Sequence, residues 1–186
     1  MKLLIASDLH GSAYYTQKMA DLFASESPDR LVLLGDLLYH GPRNPLPREY
    51  DPPRVAGILN SLKEKLLCVR GNCDSEVDQM VLEFPIGAEY AFWYDLGSMF
   101  FLTHGHIINE ENPPSIGRKD VLLHGHTHVP AAVDLGTRFF INPGSVSLPK
   151  NGSPNSCALY EDGVFRLVDL DGNELGRLDI RQAAGL

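Results

Sequence analysis

The chain has 186 residues, 44% of them hydrophobic, with 24 acidic against 16 basic side chains and a formal net charge of −8. That balance, without a long basic tract, makes nucleic acid an unlikely partner, and no stretch approaches the roughly 18 apolar residues of a membrane span. Cys68, Cys73 and Cys157 fit a reduced compartment, the apolar run near Met1 is too short for a secretory signal core, and a cytoplasmic protein is expected.

The segment Lys2–Ser7 reads as a buried strand that releases Asp8-Leu9-His10-Gly11 at its end. In an extended segment, side chains two apart share a face, so Asp8 and His10 are expected to reach one point; a turn aspartate beside a lone histidine is the bland alternative. Ser12 can cap a helix whose buried face is Tyr15, Met19, Leu22 and Phe23, ending near Ser27-Pro28. Leu31-Val32-Leu33-Leu34 follows as a strand buried on both faces, with Asp36 just past its end. Strand, helix, strand in this order predicts a parallel βαβ unit, which sets Asp8, His10 and Asp36 side by side. A buried carboxylate in such a place calls for a positive partner, and a metal is the working expectation for Asp36.

Residues 38–53 form a proline-rich connection that opens with His40 and Arg43, either facing a substrate or solvated. Asp51 caps a second helix with Pro52 in its first turn and Val55, Ile58, Leu59 and Leu62 inward. The third strand, Leu66–Val69, ends in Arg70-Gly71-Asn72-Cys73-Asp74, where Asn72 offers an amide oxygen. Ala91–Tyr94 and Met99–Thr103 are the next strands, the second ending in His104-Gly105-His106. Val121-Leu122-Leu123 then delivers His124-Gly125-His126-Thr127-His128. Alternation would put all three histidines on one face. Two histidines two apart make a chelating pair, and His124 reads as core or as support behind the ligands. After Phe139–Ile141 and an Asn142-Pro143-Gly144-Ser145 turn, an antiparallel meander of three strands (Ser156–Tyr160, Val164–Leu170, Glu174–Ile180) is expected to close a second sheet as scaffold. All seven histidines lie between residues 10 and 128, and the lack of repeats or linkers predicts one domain over 1–186.

The ordered blocks Asp8-x-His10, Gly35-Asp36, Gly71-Asn72-Cys73-Asp74, His104 and Gly125-His126-x-His128 resemble the pattern of the calcineurin-like metallophosphoesterase superfamily. The short length, the His-Gly-Pro-Arg-Asn run at 40–44 and the turn at 142–145 resemble its small bacterial YfcE-type phosphodiesterases. The resemblance implies an α/β fold of two packed mixed β-sheets flanked by helices, a four-layer αββα sandwich. It also implies two divalent metal ions. Asp8, His10 and His128 would hold one, Asn72, His104 and His126 the other, and Asp36 would bridge them. Oxygen and imidazole ligands suit Mn²⁺, Fe²⁺ or Zn²⁺; the family favours Mn²⁺, with Ni²⁺ a further alternative. The implied reaction is hydrolysis of a small phosphodiester by a metal-bridging hydroxide. A phosphomonoesterase or nucleotide pyrophosphatase is the nearest alternative, and a non-catalytic scaffold like the retromer subunit of this fold is another. Cys73 stands where many relatives carry histidine, with Asp74 in support; its thiol is a weaker hydrogen-bond donor and cannot mimic imidazolium, so slow turnover is expected unless His40 or His106 supplies the proton. Arg43 is a candidate substrate contact, and because relatives of this type often form dimers or larger assemblies the resemblance implies a homo-oligomer.

Overall fold

The computed structural model describes residues 1–181; residues 182–186, the end of the expected domain span, lie outside the described residues. Two mixed sheets form the frame. The first runs β11-β10-β9-β1-β2-β3, made of Glu174–Asp179, Val164–Asp169, Ser156–Glu161, Lys2–Ala6, Arg30–Leu33 and Leu66–Cys68. The second runs β4-β5-β6-β8-β7, made of Tyr90–Asp95, Ser98–Thr103, Val121–Leu123, Phe139–Asn142 and Ala131–Asp134.

Helix α1 spans Ala13–Glu26. The Ser12 hydroxyl accepts the Tyr15 N–H at its start, and Ser27 in the left-handed region ends it. Helix α2, Pro52–Ser61, begins where the Asp51 carboxylate accepts the Arg54 N–H. Both lay apolar faces on the first sheet. Met19, Phe23, Val55 and Leu59 share one core with Leu4, Leu31 and Leu33. The alternate residues Leu3, Ile5, Val32 and Leu34 face the other way and meet Phe100, Leu102, Leu123 and Ile141 of the second sheet. The run Leu31–Leu34 therefore feeds two cores at once, which is why it has no polar face. Full burial of each such side chain contributes roughly 1.5–3 kcal/mol. A short helix α3, Glu76–Gln79, follows the third strand and is closed by a Ser75/Asp78 capping box.

The architecture expected from the resemblance is present, with the described helical cover lying on the first sheet; between β5 and β6 the chain is coil. One expectation needs correction. The C-terminal meander does not close a second sheet. It extends the first, because β9 pairs antiparallel with β1 from Lys2↔Glu161 to Ile5↔Ala158. Alternating apolar residues show that a strand has a buried face, but not which sheet it joins. Strand β7 had no clear signal: its residues Ala131–Asp134 are half-buried or exposed. The run at β3 is apolar yet lies on a sheet edge, where Leu67 is about one-third exposed (36%).

Parallel pairing decides the location of the site. β1, β2 and β3 run parallel, as do β5, β6 and β8. Their C-terminal ends deliver, in order, Asp8 and His10, Asp36, Asn72, His104, His126 and His128, and the 142–148 segment.

Candidate metal centre

The side chains that follow these strand ends converge. Asp8 Oδ1 lies 3.3 Å from His128 Nε2 and 3.7 Å from His10 Nε2, and those two nitrogens are 3.3 Å apart. On the other side, His104 Nε2 lies 3.1 Å from Asn72 Oδ1 and 3.2 Å from His126 Nδ1. Asp36 stands between the groups: its Oδ2 is 3.7 Å from His10 Nε2 and 3.5 Å from His104 Nε2.

The outward ring nitrogens fix the tautomers. Nδ1 of His10 meets the Tyr39 carbonyl at 2.8 Å, that of His104 the Leu34 carbonyl at 2.7 Å, and that of His128 the Leu148 carbonyl at 2.6 Å. A carbonyl only accepts, so each Nδ1 carries hydrogen, and each ring when neutral turns an Nε2 lone pair inward. Two such lone pairs 3.3 Å apart, with the buried Asp8 Oδ1 lacking any hydrogen bond, form a cluster that needs a cation. These residues fit divalent metal: Asp8, His10 and His128 can hold one ion, and Asp8, Asp36 and His104 form a second compact group.

The electrostatics agree. Burial works to raise the Asp8 carboxyl, but the His128, His104 and His10 rings around it outweigh that and hold it well below the usual carboxylate range. Asp36 is lowered too: burial and Asp8 oppose, yet His104 and the Cys73 N–H, 2.8 Å from Oδ1, prevail. Burial disfavours the His104 cation, but Asp36 and Asp8 bring its pKa up to about 9. Burial and the charge of His104 push His126 down to about 4. Without metal, the cluster retains a proton on His104 in place of the cation.

The backbone reaches this arrangement by a different route from alternation. Asp8, His10, Asp36, His126 and His128 all have φ between 46° and 65°, the left-handed region. They are five of the ten described non-glycine residues there, so backbone strain is concentrated at the cluster. Extended geometry was therefore the wrong reason for expecting Asp8 and His10 to meet and for setting His124 on one face with His126 and His128, whereas the reading of His124 as core or support agrees with its burial. That ring does not join the cluster. It is buried, with Nε2 on Glu110 at 2.5 Å and Nδ1 near the Gly125 carbonyl. Asp74 is buried between two strand ends, and its carboxylate accepts the N–H groups of Asp36, Leu37 and Gly71. Cys73 borders the cluster, its sulfur within reach of the His10 and Asp36 ligand atoms; burial, followed by the Asp36 charge, pushes its thiol up to about 12.

A cleft of about 520 Å³ opens over the cluster, lined by Asp36, Asn72, Cys73, His126 and His128 together with Arg43, Asn44, Thr127 and Lys150. An apolar hollow among Tyr39, Tyr50, Ala56 and Val81 is larger, about 640 Å³, but is not lined by the clustered ligands. His40 packs edge-on against Tyr39 and Tyr50, with Nδ1 buried and unpartnered, and is not among the residues lining the cleft. His106 is exposed beside the cluster, its ring centroid 5.4 Å from that of His104.

Several residues important to the geometry were silent in the sequence. Ser145 and Ser147 hydroxyls both donate to the Asp8 carbonyl, and Asn142 Nδ2 donates to the Gly125 carbonyl and to Thr127 Oγ1. The Asn-Pro-Gly-Ser signal marked a turn there; its grip on two ligand loops becomes visible only in three dimensions.

Comparison with known proteins matches residues 1–162 to the calcineurin-like phosphoesterase superfamily domain. The chain belongs to the calcineurin-like phosphoesterase superfamily. Phosphodiesterase YfcE of Escherichia coli K12 is 47% identical over 175 residues, covering 94% of this chain and 95% of that protein. The solved structure of YfcE, a phosphoesterase from E. coli, superposes with a TM-score of 0.94 at 46% identity, covering 97% of this chain and all of that one. Vps29 of Entamoeba histolytica complexed with zinc gives a TM-score of 0.63 at 20% identity over 97% of this chain and 99% of that one, a likeness of fold. Membership in the superfamily and the match to the YfcE structure account for the two-sheet fold. Among the described residues, no helix is long and apolar enough to cross a membrane.

Proposed function

We propose that the protein is a metal-dependent phosphodiesterase with a binuclear centre, acting on small phosphodiesters. One observation carries this reading: Asp36 Oδ2 lies between His10 Nε2 and His104 Nε2, at 3.7 and 3.5 Å, so a single carboxylate serves two ligand groups. Asp8, His10 and His128 would hold the first ion and Asn72, His104 and His126 the second. Bound divalent ions supply Lewis-acid polarisation of phosphoryl oxygens and an activated water, and Mn²⁺ is the ion proposed. The residues do the rest. Asp36 offsets the charge of both ions. The carbonyls of Tyr39, Leu34 and Leu148 hold three rings in the ligating tautomer. Asp74 ties the Asp36 and Gly71 backbones together so that Asp36 and Asn72 keep their spacing. Cys73 borders the reacting phosphate but remains protonated, and offers only a weak donor to a leaving group.

The likeness to phosphodiesterase YfcE over nearly the full length of both chains supports diester rather than monoester chemistry. The retention of every expected ligand supports an enzyme over a scaffold. Hydrolysis of bis-p-nitrophenyl phosphate and p-nitrophenyl phosphate, each with added Mn²⁺, tests the reading. The diester is expected to be cleaved faster. Preference for the monoester would move the assignment to a phosphomonoesterase, and inactivity on both with metal bound would move it to a scaffold.

A further inference from the structure

We infer that Arg43 and Lys150 form an anion clamp at the mouth of the cleft, and that the preferred substrate is a phosphodiester carrying a second phosphate on one arm. The inference deepens the phosphodiesterase reading and rests on it. Both side chains line the 520 Å³ cleft above the clustered ligands, and they come from separate segments of the chain. Each is held close to the cluster by its backbone. The Lys150 N–H donates to the carbonyl of His128, and its own carbonyl accepts from both the N–H and the hydroxyl of Ser153. Arg43 lies in a turn closed by Asn44, whose side chain donates to the His40 carbonyl. Gly41 of that turn packs so tightly on Cys73 that an added Cβ would stand 3.2 Å from its sulfur.

The two cations are also unmatched. Several bases elsewhere are paired, Lys2 with Glu26, Lys18 with Asp171 and Arg118 with Asp134, and of those that are not, Arg43 and Lys150 are the two that line this cleft. Among the described residues, neither Arg43 nor Lys150 has an ion pair or a side-chain hydrogen bond, although the chain has eight more acids than bases (24 less 16). Unpaired positive groups around a polar concavity focus potential for an anionic ligand. The scissile phosphodiester has a single charge, which the metal centre already meets. The cleft has room for more than that group. A guanidinium and an ammonium beyond the metal ligands therefore suit a second anion, the guanidinium as a two-pronged donor and the ammonium as a point charge.

The test uses a matched pair: the p-nitrophenyl ester of thymidine 5′-phosphate, and the same ester with a 3′-phosphate. The metal-loaded wild type is expected to show a kcat/KM about tenfold higher for the ester with the 3′-phosphate. R43Q and K150Q should each reduce that ratio about fivefold, through KM rather than kcat. Calorimetric binding of thymidine 3′,5′-bisphosphate and thymidine 5′-monophosphate gives a second readout, in which either substitution should weaken the bisphosphate more. Equal kcat/KM for the two esters in the wild type, or a ratio that neither substitution changes, overturns the clamp while leaving the phosphodiesterase reading intact. If neither ester is hydrolysed, the phosphodiesterase reading fails and calorimetry alone decides the clamp. Equal affinities for the two nucleotides then overturn it.

Discussion

Asp36 is the residue on which most depends, because one oxygen faces both ligand groups and the other accepts the Cys73 N–H at 2.8 Å. Asp36→Asn keeps the shape and removes the shared negative charge. It is expected to lower diesterase activity at least ~100-fold and to weaken metal binding, measured by assay and by metal analysis after dialysis; full retained activity would remove Asp36 from its bridging role. Cys73 sets a different limit. A thiol pushed up to about 12 is a weak hydrogen-bond donor whose pKa lies far from the operating pH at which a general acid works best, so it gives little help to a departing alkoxide. Cys73→His should therefore raise turnover about tenfold or more on esters with basic leaving groups, and an unchanged or lower rate in a folded, metal-loaded variant counts against this role. Asp74 acts through others: its carboxylate accepts three backbone N–H groups. Asp74→Asn sets an amide donor against those donors and should cost about 1–3 kcal/mol in chemical denaturation.

At the scale of elements, the site is a set of turns packed against one another at the ends of parallel strands. Gly35 and Gly71 mark one such close approach. Gly35 has φ +95°, and a Cβ on Gly71 would stand 2.2 Å from Asp36 Oδ1. Gly71→Ala must displace Asp36 or the turn itself. We expect a loss of about 1–3 kcal/mol in stability together with weaker metal binding, read by thermal unfolding with and without Mn²⁺. Much of this scale was legible in the sequence. Buried strands at Lys2–Ala6 and Arg30–Leu33 announced themselves as unbroken apolar runs, and ligand types followed each strand end. Two things were not. The left-handed backbone at Asp8, His10, His126 and His128 was not legible, since aspartate and histidine are enriched at positive φ but still adopt it in only a small minority of cases. The carbonyls that orient the rings belong to Tyr39, Leu34 and Leu148, whose side chains have nothing to do with that task. The meander was assigned to the wrong sheet for a related reason: the partner of β9 is β1, more than 150 residues away in sequence.

For the whole molecule, the cluster links folding, protonation and metal. In the metal-free protein, His104 is raised from 6.5 to about 9 by Asp36 and Asp8 against the opposing effect of burial. A group whose folded pKa lies above its unfolded value adds stability that is complete below the unfolded pKa and lost as pH rises through the folded one. The His104 contribution should fade between pH 6.5 and about 9. Asp8 has the opposite sign: it is lowered, so its contribution is present above pH 3.8 and is lost as the pH falls below that value. Metal must displace the His104 proton, so binding near pH 7.5 should release close to one proton, measurable by calorimetry in buffers of different ionisation enthalpy. Titration of the metal-free protein with Mn²⁺, followed by bis-p-nitrophenyl phosphate hydrolysis at each step, tests the central claim most directly. Two equivalents per chain are predicted, with activity rising as the second site fills; saturation at one equivalent, or full occupancy of two without hydrolysis, would contradict it.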